Sequence, residues 1–384
     1  MEVKQIYELV NNAMGDVLGE NDVEDSPTLS EDMSNLVDMG KTIQDAMKVD
    51  NYVRSLVNHI GKVIFVNRPY SGSAPSVLMD SWEYGSILEK IQSEMPEAVE
   101  NESWELTDGE EYNPNIFHKP KASAKFYNNK TTFEIDMSFT ERQVKESFSN
   151  AAQMNAFLSM LYNEVDKSMT VKTDDLIMRT INTMTAATLT ASSTGIKVVN
   201  LLTEYNALSS ETSLNPTQAM HSPEFIRFAA FKIGLYVDRI RRISKLFNVG
   251  GKARFTPKDR LKLIMLSEFE MAANVYLQSD VYHNEYTRLP MAESVPYWQG
   301  SGENYDFENT SAIALTLNNQ TIKQEGILAV MFDRDALGVT NIDRRVTTYY
   351  NPKGEFWNNY YKYDAGYFND LDENFIVFLC ASES

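Results

Sequence analysis

The sequence predicts an α+β fold, in which long helices and antiparallel strands come in separate blocks. Residues 140–170 contain no proline or glycine and repeat apolar residues every three or four positions, which predicts a long helix. Residues 344–368 hold two aromatic, strand-like runs around a turn at 351–354. With 43% hydrophobic residues among 384, the chain can bury a sizeable core.

Charge and cysteine content exclude several classes of protein. The chain carries 35 basic and 54 acidic residues, a net charge of −19, which opposes general binding to nucleic acid. The single cysteine, Cys380, excludes a disulfide framework and a multi-cysteine zinc site, and it follows an apolar run that predicts a buried thiol. We expect no signal peptide and no membrane segment, because the longest apolar runs, such as 326–332, are short.

Residues 1–80 are interpreted as an N-terminal arm with little core of its own. Helical spacing over 3–18 is broken by an acidic stretch at 19–32, and residues 1–60 carry a net charge of −8. Residues 62–76 resemble a strand that runs into a linker rich in glycine, serine and proline.

Residues 81–139 predict an extended two-stranded ribbon with a long tip. Two β-rich runs, 125–127 and 131–137, flank residues 128–130. Residues 80–111 hold 11 acids and one base, a net charge of −10. A ribbon of this charge is marginal alone, so we expect it to rest on another subunit.

The remaining elements follow in order. Thr140 and Gln143 form a capping box that opens the long helix, and Ser222 followed by Pro223 opens another. The further predicted helices and strands are a helix over 173–191, a strand at 196–202, a helix over 222–248, a short strand or turn and a helix over 255–277, strands at 309–317 and 325–332, one helical turn at 333–337, and a buried strand at 373–381.

No pattern for catalysis or for a cofactor stands out. The sequence has no phosphate-binding loop, and none of its four histidines lies at metal-ligand spacing from another. Asp333 and Asp335 resemble the acid pair of metal-dependent glycosyltransferases, against which a simple helix cap is the alternative interpretation. The acidic run at 364–374 lacks the pattern of a calcium loop and is interpreted as a solvated turn. We expect no catalytic residue, no metal and no cofactor.

Residues 227–262 form a basic segment, with 11 bases and two acids in a strongly acidic chain. It is either a solvated helix face, or a patch that meets the acidic ribbon of another copy; a nucleic-acid patch is disfavoured by the surrounding charge. The candidate contacts between subunits are Arg239, Arg241, Arg242, Lys245, Glu97, Glu100, Glu102 and Glu105.

The order of these parts resembles the major capsid proteins of tailed bacteriophages with the Hong Kong 97-like fold. The stretches that carry the resemblance are YGSILEKI, KASAKFYNNKTTFEIDMSFTERQVKESFSN, EGILAVMFDRDALGV and YYNPKGEFWNNYYKYDAGYFNDLDENFIVFL. It implies an arm over 1–80, an extended loop over 81–139, a peripheral domain with a spine helix over 140–195 and 340–372, and an axial α/β domain over 196–339 and 373–384.

The resemblance also implies a function. The chain would self-assemble into hexamers and pentamers of an icosahedral phage head that encloses double-stranded DNA without reading its sequence, in the host bacterial cytoplasm. A separate scaffolding protein is expected, because the 80 residues before the ribbon are shorter than the built-in scaffold of some members. A portal protein and decoration proteins are further expected partners. The alternatives are an encapsulin-like compartment and a glycosyltransferase or hydrolase that uses Asp333 and Asp335.

Overall fold

We describe the fold from a computed structural model. The residues that the structure describes are 55, 77–79, 88–96, 98, 100–112, 115, 117–119, 121–147, 151–191, 195–208, 213–278, 292–300, 311–317 and 319–382. Nearly all of the predicted arm, including its strand at 62–76, lies outside them. The helices are α1 Glu141–Ser147, α2 Ala151–Ala191, α3 Leu201–Leu208, α4 Pro216–Met220, α5 Pro223–Ile240 and α6 Ser267–Gln278.

The strands in the described part of the chain form four sheets. In chain order they are β1 Leu78–Met79, β2 Leu88–Ser93, β3 Ala122–Tyr127, β4 Lys130–Thr140, β5 Val198–Asn200, β6 Leu261–Leu266, β7 Glu293–Val295, β8 Gln299–Gly300, β9 Ala312–Leu317, β10 Gln320–Glu325, β11 Ile327–Asp333, β12 Leu337–Asn351, β13 Phe356–Asn369 and β14 Phe375–Leu379. The sheet orders are β1-β12-β13-β4, β5-β14-β11-β6-β7, β10-β9-β8 and β2-β3.

The four-stranded sheet is built on the predicted aromatic hairpin. Strands β12 and β13 pair from Leu337 opposite Asn369 to Asn351 opposite Phe356, and β4 joins β13 on its other side. Asn351 closes the turn, because its side-chain oxygen accepts hydrogen bonds from the backbone N–H groups of the third and fourth turn residues. The aromatic side chains on one face are buried, which explains the alternation along β13.

The five-stranded sheet forms a second core. Every residue of its central strands β11 and β14 is buried, as expected for uninterrupted apolar runs covered on both faces. Cys380 follows β14 and is buried, which confirms the predicted buried thiol. Burial raises the pKa of this thiol to about 12, so it stays protonated at neutral pH.

Helix α2 differs from the prediction of two helices separated near residue 171, because it runs unbroken for 41 residues. Its threonine-rich second half was predicted as a separate helix over 173–191. In the structure, threonine hydroxyls donate to the backbone carbonyl four residues earlier, so their polar groups are satisfied inside the helix. These threonines are Thr173, Thr180, Thr183, Thr185, Thr188 and Thr190. Helix α2 contacts strands of the three larger sheets. None of the helices in the described residues is long and apolar enough to cross a membrane.

Three other local predictions change. The helix predicted over 222–248 ends at Ile240, and a loop follows in which Ser244 bridges to Arg254. The helical turn predicted at 333–337 is a tight turn between β11 and β12. The two β-rich runs of the predicted ribbon lie in different sheets, because β3 pairs with β2 whereas β4 pairs with β13. Both predicted capping residues, Thr140 and Ser222, are confirmed by their hydrogen bonds.

Candidate assembly surface

The ribbon begins as two short strands and continues as a long tip. Strands β2 and β3 pair from Leu88 opposite Tyr127 to Ser93 opposite Ala122. We call the chain between them, residues 94–121, the ribbon tip. Two lysines, Lys90 and Lys125, lie directly opposite each other across the strands. Like charges in this position repel, so the pair needs acidic neighbours.

Those neighbours come from the loop between β13 and β14. Lys90 Nζ donates to Asp370 Oδ2 at 2.7 Å and to Glu373 Oε1 at 2.8 Å. Lys125 Nζ donates to Asp370 Oδ1 at 2.7 Å and lies 2.6 Å from Asp372 Oδ2. We call these five residues the ribbon anchor, because they attach the ribbon strands to the body of their own subunit.

Burial sets the electrostatics of the ribbon anchor. The Asp370 side chain has no exposed surface. That burial favours its neutral form, but the hydrogen bonds from Lys125 and Lys90 outweigh it and lower the pKa of Asp370 to about 2. At Glu373 the balance goes the other way: burial raises the pKa despite the hydrogen bond from Lys90. For Lys125, burial opposes the charge, yet the hydrogen bonds to Asp370 and Asp372 raise its pKa.

The ribbon anchor corrects the interpretation of residues 364–374 as a solvated turn. Asp370 and Glu373 are buried because the ribbon strands cover them. It also corrects the expectation that the whole ribbon rests on another subunit, because β2 and β3 lie on their own subunit. The sequence contains one signal for the ribbon anchor, which is the cluster of three acids within four residues after the aromatic strand β13. The signal does not identify the lysine partners, because they lie about 245 or more residues away in the chain.

The four candidate bases lie on and after the end of α5, and all are exposed. The Arg239 guanidinium lies 5.2 Å from the centre of the Tyr236 ring, and Arg241 pairs with Asp238 at 3.4 Å. Arg242 lies just before the Ser244–Arg254 bridge, and Lys245 lies in the loop that this bridge closes. Within the described residues, no hydrogen bond or ion pair joins these bases to Glu100 or Glu105.

The candidate acids lie in the ribbon tip. Glu100 and Glu105 are exposed, Glu102 begins a single helical turn that ends at Trp104, and Glu97 lies outside the described residues. Large apolar side chains are exposed beside them: Trp104 is 95% exposed and Phe117 is 84% exposed. An acidic tip with uncovered aromatic residues has the composition of a binding surface.

One part of the basic segment does meet the ribbon, but inside the same subunit. Lys252 Nζ donates to Glu94 Oε1 at 2.6 Å, and the Arg254 guanidinium donates to the side-chain oxygen of Gln92. The hydrogen bond from Lys252 lowers the pKa of Glu94. These contacts occur where the ribbon leaves the body, beside a cavity of about 420 Å³.

The acid pair proposed for metal chemistry has structural roles. Asp333 Oδ1 accepts the backbone N–H of Asp335 at 2.9 Å, and Asp335 Oδ2 pairs with Arg260 at 3.0 Å. The two carboxylates thus close the turn between β11 and β12. Across the described residues, no group of three or more histidine, cysteine, aspartate or glutamate side chains is arranged to hold a metal ion.

Comparison with known proteins identifies a family and solved structures that this chain resembles. The family model described as Phi29-like phage major capsid protein matches residues 18–379. No curated protein matches the chain. Among solved structures, a chain from the capsid structure of Staphylococcus phage Andhra matches with a TM-score of 0.51 and 10% identity, covering 82% of this chain and 86% of that one.

A second match comes from the structure of head fiber and inner core protein gp22 of native bacteriophage P68, with a TM-score of 0.55 and 10% identity over 82% of this chain and 86% of that one. At this identity the matches establish the fold alone, which is the Hong Kong 97-like fold predicted from the order of the parts. The family match covers nearly the whole chain. The chain therefore belongs to the Phi29-like phage major capsid protein family and is a structural component of a phage capsid.

Proposed function

We propose that this capsid protein assembles into hexamers and pentamers that close into an icosahedral head around double-stranded DNA. The observation that carries the proposal is the ribbon tip, which extends from an anchored pair of strands and exposes aromatic side chains to solvent. A surface of this kind on a head-to-tail contact generates rings, and rings joined by further contacts generate shells.

The proposed contact partner of the ribbon tip is a neighbouring copy. The tip is acidic, whereas the exposed surface around Arg239, Arg241, Arg242 and Lys245 is basic. Opposite charges of this kind steer encounter and fix register between subunits. Because Lys252 and Arg254 are already engaged with the ribbon in their own subunit, the contact between subunits uses the four exposed bases with Glu97, Glu100, Glu102 and Glu105.

The division into parts supports this arrangement. We assign the arm to residues 1–80, the extended loop to 81–139, the peripheral domain to 140–195 and 340–372, and the axial domain to 196–339 and 373–384. The five-stranded sheet is made of axial residues, which is consistent with this division. In the four-stranded sheet, β12 and β13 lie mostly in the peripheral residues, whereas β4 lies almost entirely in the extended-loop residues and β1 in the arm residues.

The role is structural rather than enzymatic. In this proposal the head assembles in the host bacterial cytoplasm with a separate scaffolding protein, a portal protein and decoration proteins. The DNA is enclosed without sequence-specific contacts, and the net charge of −19 supports this, because an acidic wall does not adhere to packed DNA.

The proposal is tested by following assembly as a function of salt and of the basic surface. Particle formation is measured by sedimentation and negative-stain microscopy. Raising the salt concentration is expected to slow assembly, because charges separated by more than a Debye length of about 10 Å at 0.1 M are screened. Finished shells are expected to survive, because salt does not weaken apolar burial.

A triple variant with Arg239→Glu, Arg241→Glu and Arg242→Glu is expected to stay folded and to lose assembly. The matched control reverses three exposed lysines outside the basic segment, Lys167→Glu, Lys323→Glu and Lys353→Glu, and is expected to assemble. A wild-type protein that forms no particles, with or without its scaffolding protein, would contradict the proposed function. Assembly of the triple variant at the wild-type rate would contradict the role of the bases.

A further inference from the structure

Trp104 is a large apolar side chain that is exposed to solvent in the single subunit. It ends a one-turn helix in the ribbon tip and is 95% exposed. The large apolar area of tryptophan makes it the residue type most often found as an energetic anchor of protein interfaces. Two of the three other tryptophans, Trp298 and Trp357, are buried in the cores, and Trp82 lies outside the described residues.

The cavity beside the ribbon is large enough to receive such a side chain. Its volume of about 420 Å³ lies within the range of roughly 300–1,000 Å³ for pockets that bind small organic molecules. Met95, Pro96 and Ala253 provide the apolar part of the lining, and Lys245, Lys252 and Arg254 add aliphatic stems; the other lining residues are mostly polar. Cationic groups above an aromatic ring add a cation–π attraction.

The charges around Trp104 and around the cavity are complementary. The acids near Trp104 in the tip are exposed; they are Glu100, Glu105, Asp108, Glu110 and Glu111. The exposed Lys245 lines the cavity together with Lys252 and Arg254, and the one acid among the described residues of the lining, Glu94, is paired with Lys252. The exposed Arg241 and Arg242 precede Lys245 by four and three positions in the chain. In its own subunit Trp104 is outside the cavity, although Met95 and Pro96 of the same tip line it.

We infer that Trp104 of one copy inserts into the cavity of the next copy, which is the one formed by Met95, Pro96 and the loop 245–254. The inference rests on the proposed function and specifies the contact between subunits. Trp104 is the apolar anchor, and the acids around it form a charged rim against Arg241, Arg242 and Lys245. The contact is head-to-tail, so each copy offers one tip and one cavity, as a closed ring requires.

The first test joins the two surfaces covalently while keeping Trp104. Ser103→Cys and Ala253→Cys are combined in one chain, particles are assembled, and oxidised samples are separated on denaturing gels without reductant. The natural Cys380 is buried and does not compete. The expected result is a ladder of multimers of the 43.7 kDa chain that collapses to one band with reductant.

Two controls define the background. Ser103→Cys alone, and Ser103→Cys with Thr316→Cys on an exposed position of β9, are expected to give no ladder. Particles of the paired variant that stay monomeric on the gel, or that contain only a disulfide within one chain, would overturn the inference while the proposed function stands. A wild-type protein without particles would instead remove the proposed function.

A second test needs no cysteine. Trp104→Ala is expected to raise the protein concentration required for assembly about tenfold or more, whereas Trp104→Phe retains a ring and is expected to have a smaller effect. The emission attributable to Trp104, obtained by subtracting the Trp104→Phe spectrum from the wild-type spectrum, is expected to shift to shorter wavelength on assembly. An unshifted Trp104 emission in assembled particles would overturn burial of this side chain.

Discussion

At the scale of single residues, Asp370 is the side chain on which the position of the ribbon depends. It accepts hydrogen bonds from Lys90 and Lys125, which would otherwise repel each other across the two strands. Removing its charge leaves two partly buried ammonium groups with fewer acidic neighbours. Breaking one partner of a buried pair costs about 3–5 kcal/mol, far more than a surface pair contributes.

Asp370→Asn is therefore expected to lower the free energy of unfolding at pH 7 by about 3 kcal/mol. The pKa of Asp370 is lowered to about 2, so its stabilising contribution is present above the unfolded value near 3.9 and is lost as the pH falls toward 2. The raised pKa of Glu373 acts with the opposite sign, because its neutral form is favoured in the folded state. The Asp370→Asn variant should lack the decrease in the free energy of unfolding that protonation of Asp370 causes in the wild type as the pH falls.

Chemical denaturation between pH 2 and pH 7 measures both effects. The matched control is Asp364→Asn, whose carboxylate pairs with the half-exposed Arg345 at 2.6 Å and is expected to cost less than about 1 kcal/mol. Equal stability of Asp370→Asn and wild type at pH 7 would show that the ribbon anchor does not hold the strands.

Sequence reasoning found the residues whose role is local and missed those whose partners are distant. The capping pair Thr140 and Gln143 and the buried Cys380 were correctly predicted, because each follows from neighbours within a few positions. Asp370 gave no such signal. Its partners come from a ribbon about 245 or more residues earlier, and only the folded chain brings them together.

At the scale of elements, Gly326 controls how closely the end of β14 passes the start of β11. Its φ is +73°, and a Cβ atom there would collide with the backbone carbonyl oxygen of Cys380. The Gly326 carbonyl also accepts a hydrogen bond from the backbone N–H of Cys380 at 2.7 Å, so these two segments of the chain cannot separate without losing that bond.

Gly326→Ala is expected to lower the free energy of unfolding by about 1–3 kcal/mol, from the strained backbone conformation and the displaced strand. Gly234→Ala is the matched control. It lies inside α5 with no atom within 4 Å of the added Cβ, so it should gain about 0.5–1 kcal/mol. Thermal or chemical unfolding measures the stability of both variants. A Gly326→Ala protein as stable as the wild type would contradict the close approach of the Gly326 backbone to the Cys380 carbonyl.

The elements also show where periodicity is informative. The hairpin of β12 and β13 and the buried strands β11 and β14 were predicted because aromatic and apolar runs identify strands directly. The continuity of α2 was missed, because helices were predicted over 140–170 and 173–191, and whether two helical segments join depends on packing against the rest of the fold. Partner choice among strands was missed at β4 for the same reason: pairing is a tertiary property.

At the scale of the whole molecule, α2 contacts strands of the three larger sheets, so the body forms one support for the anchored ribbon. The order of the parts sufficed to predict the fold, although no short motif did. The two matching phage structures share only 10% identity with this chain, so what is retained is the arrangement of elements rather than their side chains.

The most direct test of the account is a cryo-electron microscopy reconstruction of the assembled particle, read at the ribbon tip. The account predicts a closed shell in which β2 and β3 rest on their own subunit through Asp370, while residues 94–121 lie on a neighbouring copy beside its residues 239–245. A shell in which each tip folds back on its own subunit, or in which the tips contact no protein, would contradict assembly through the ribbon.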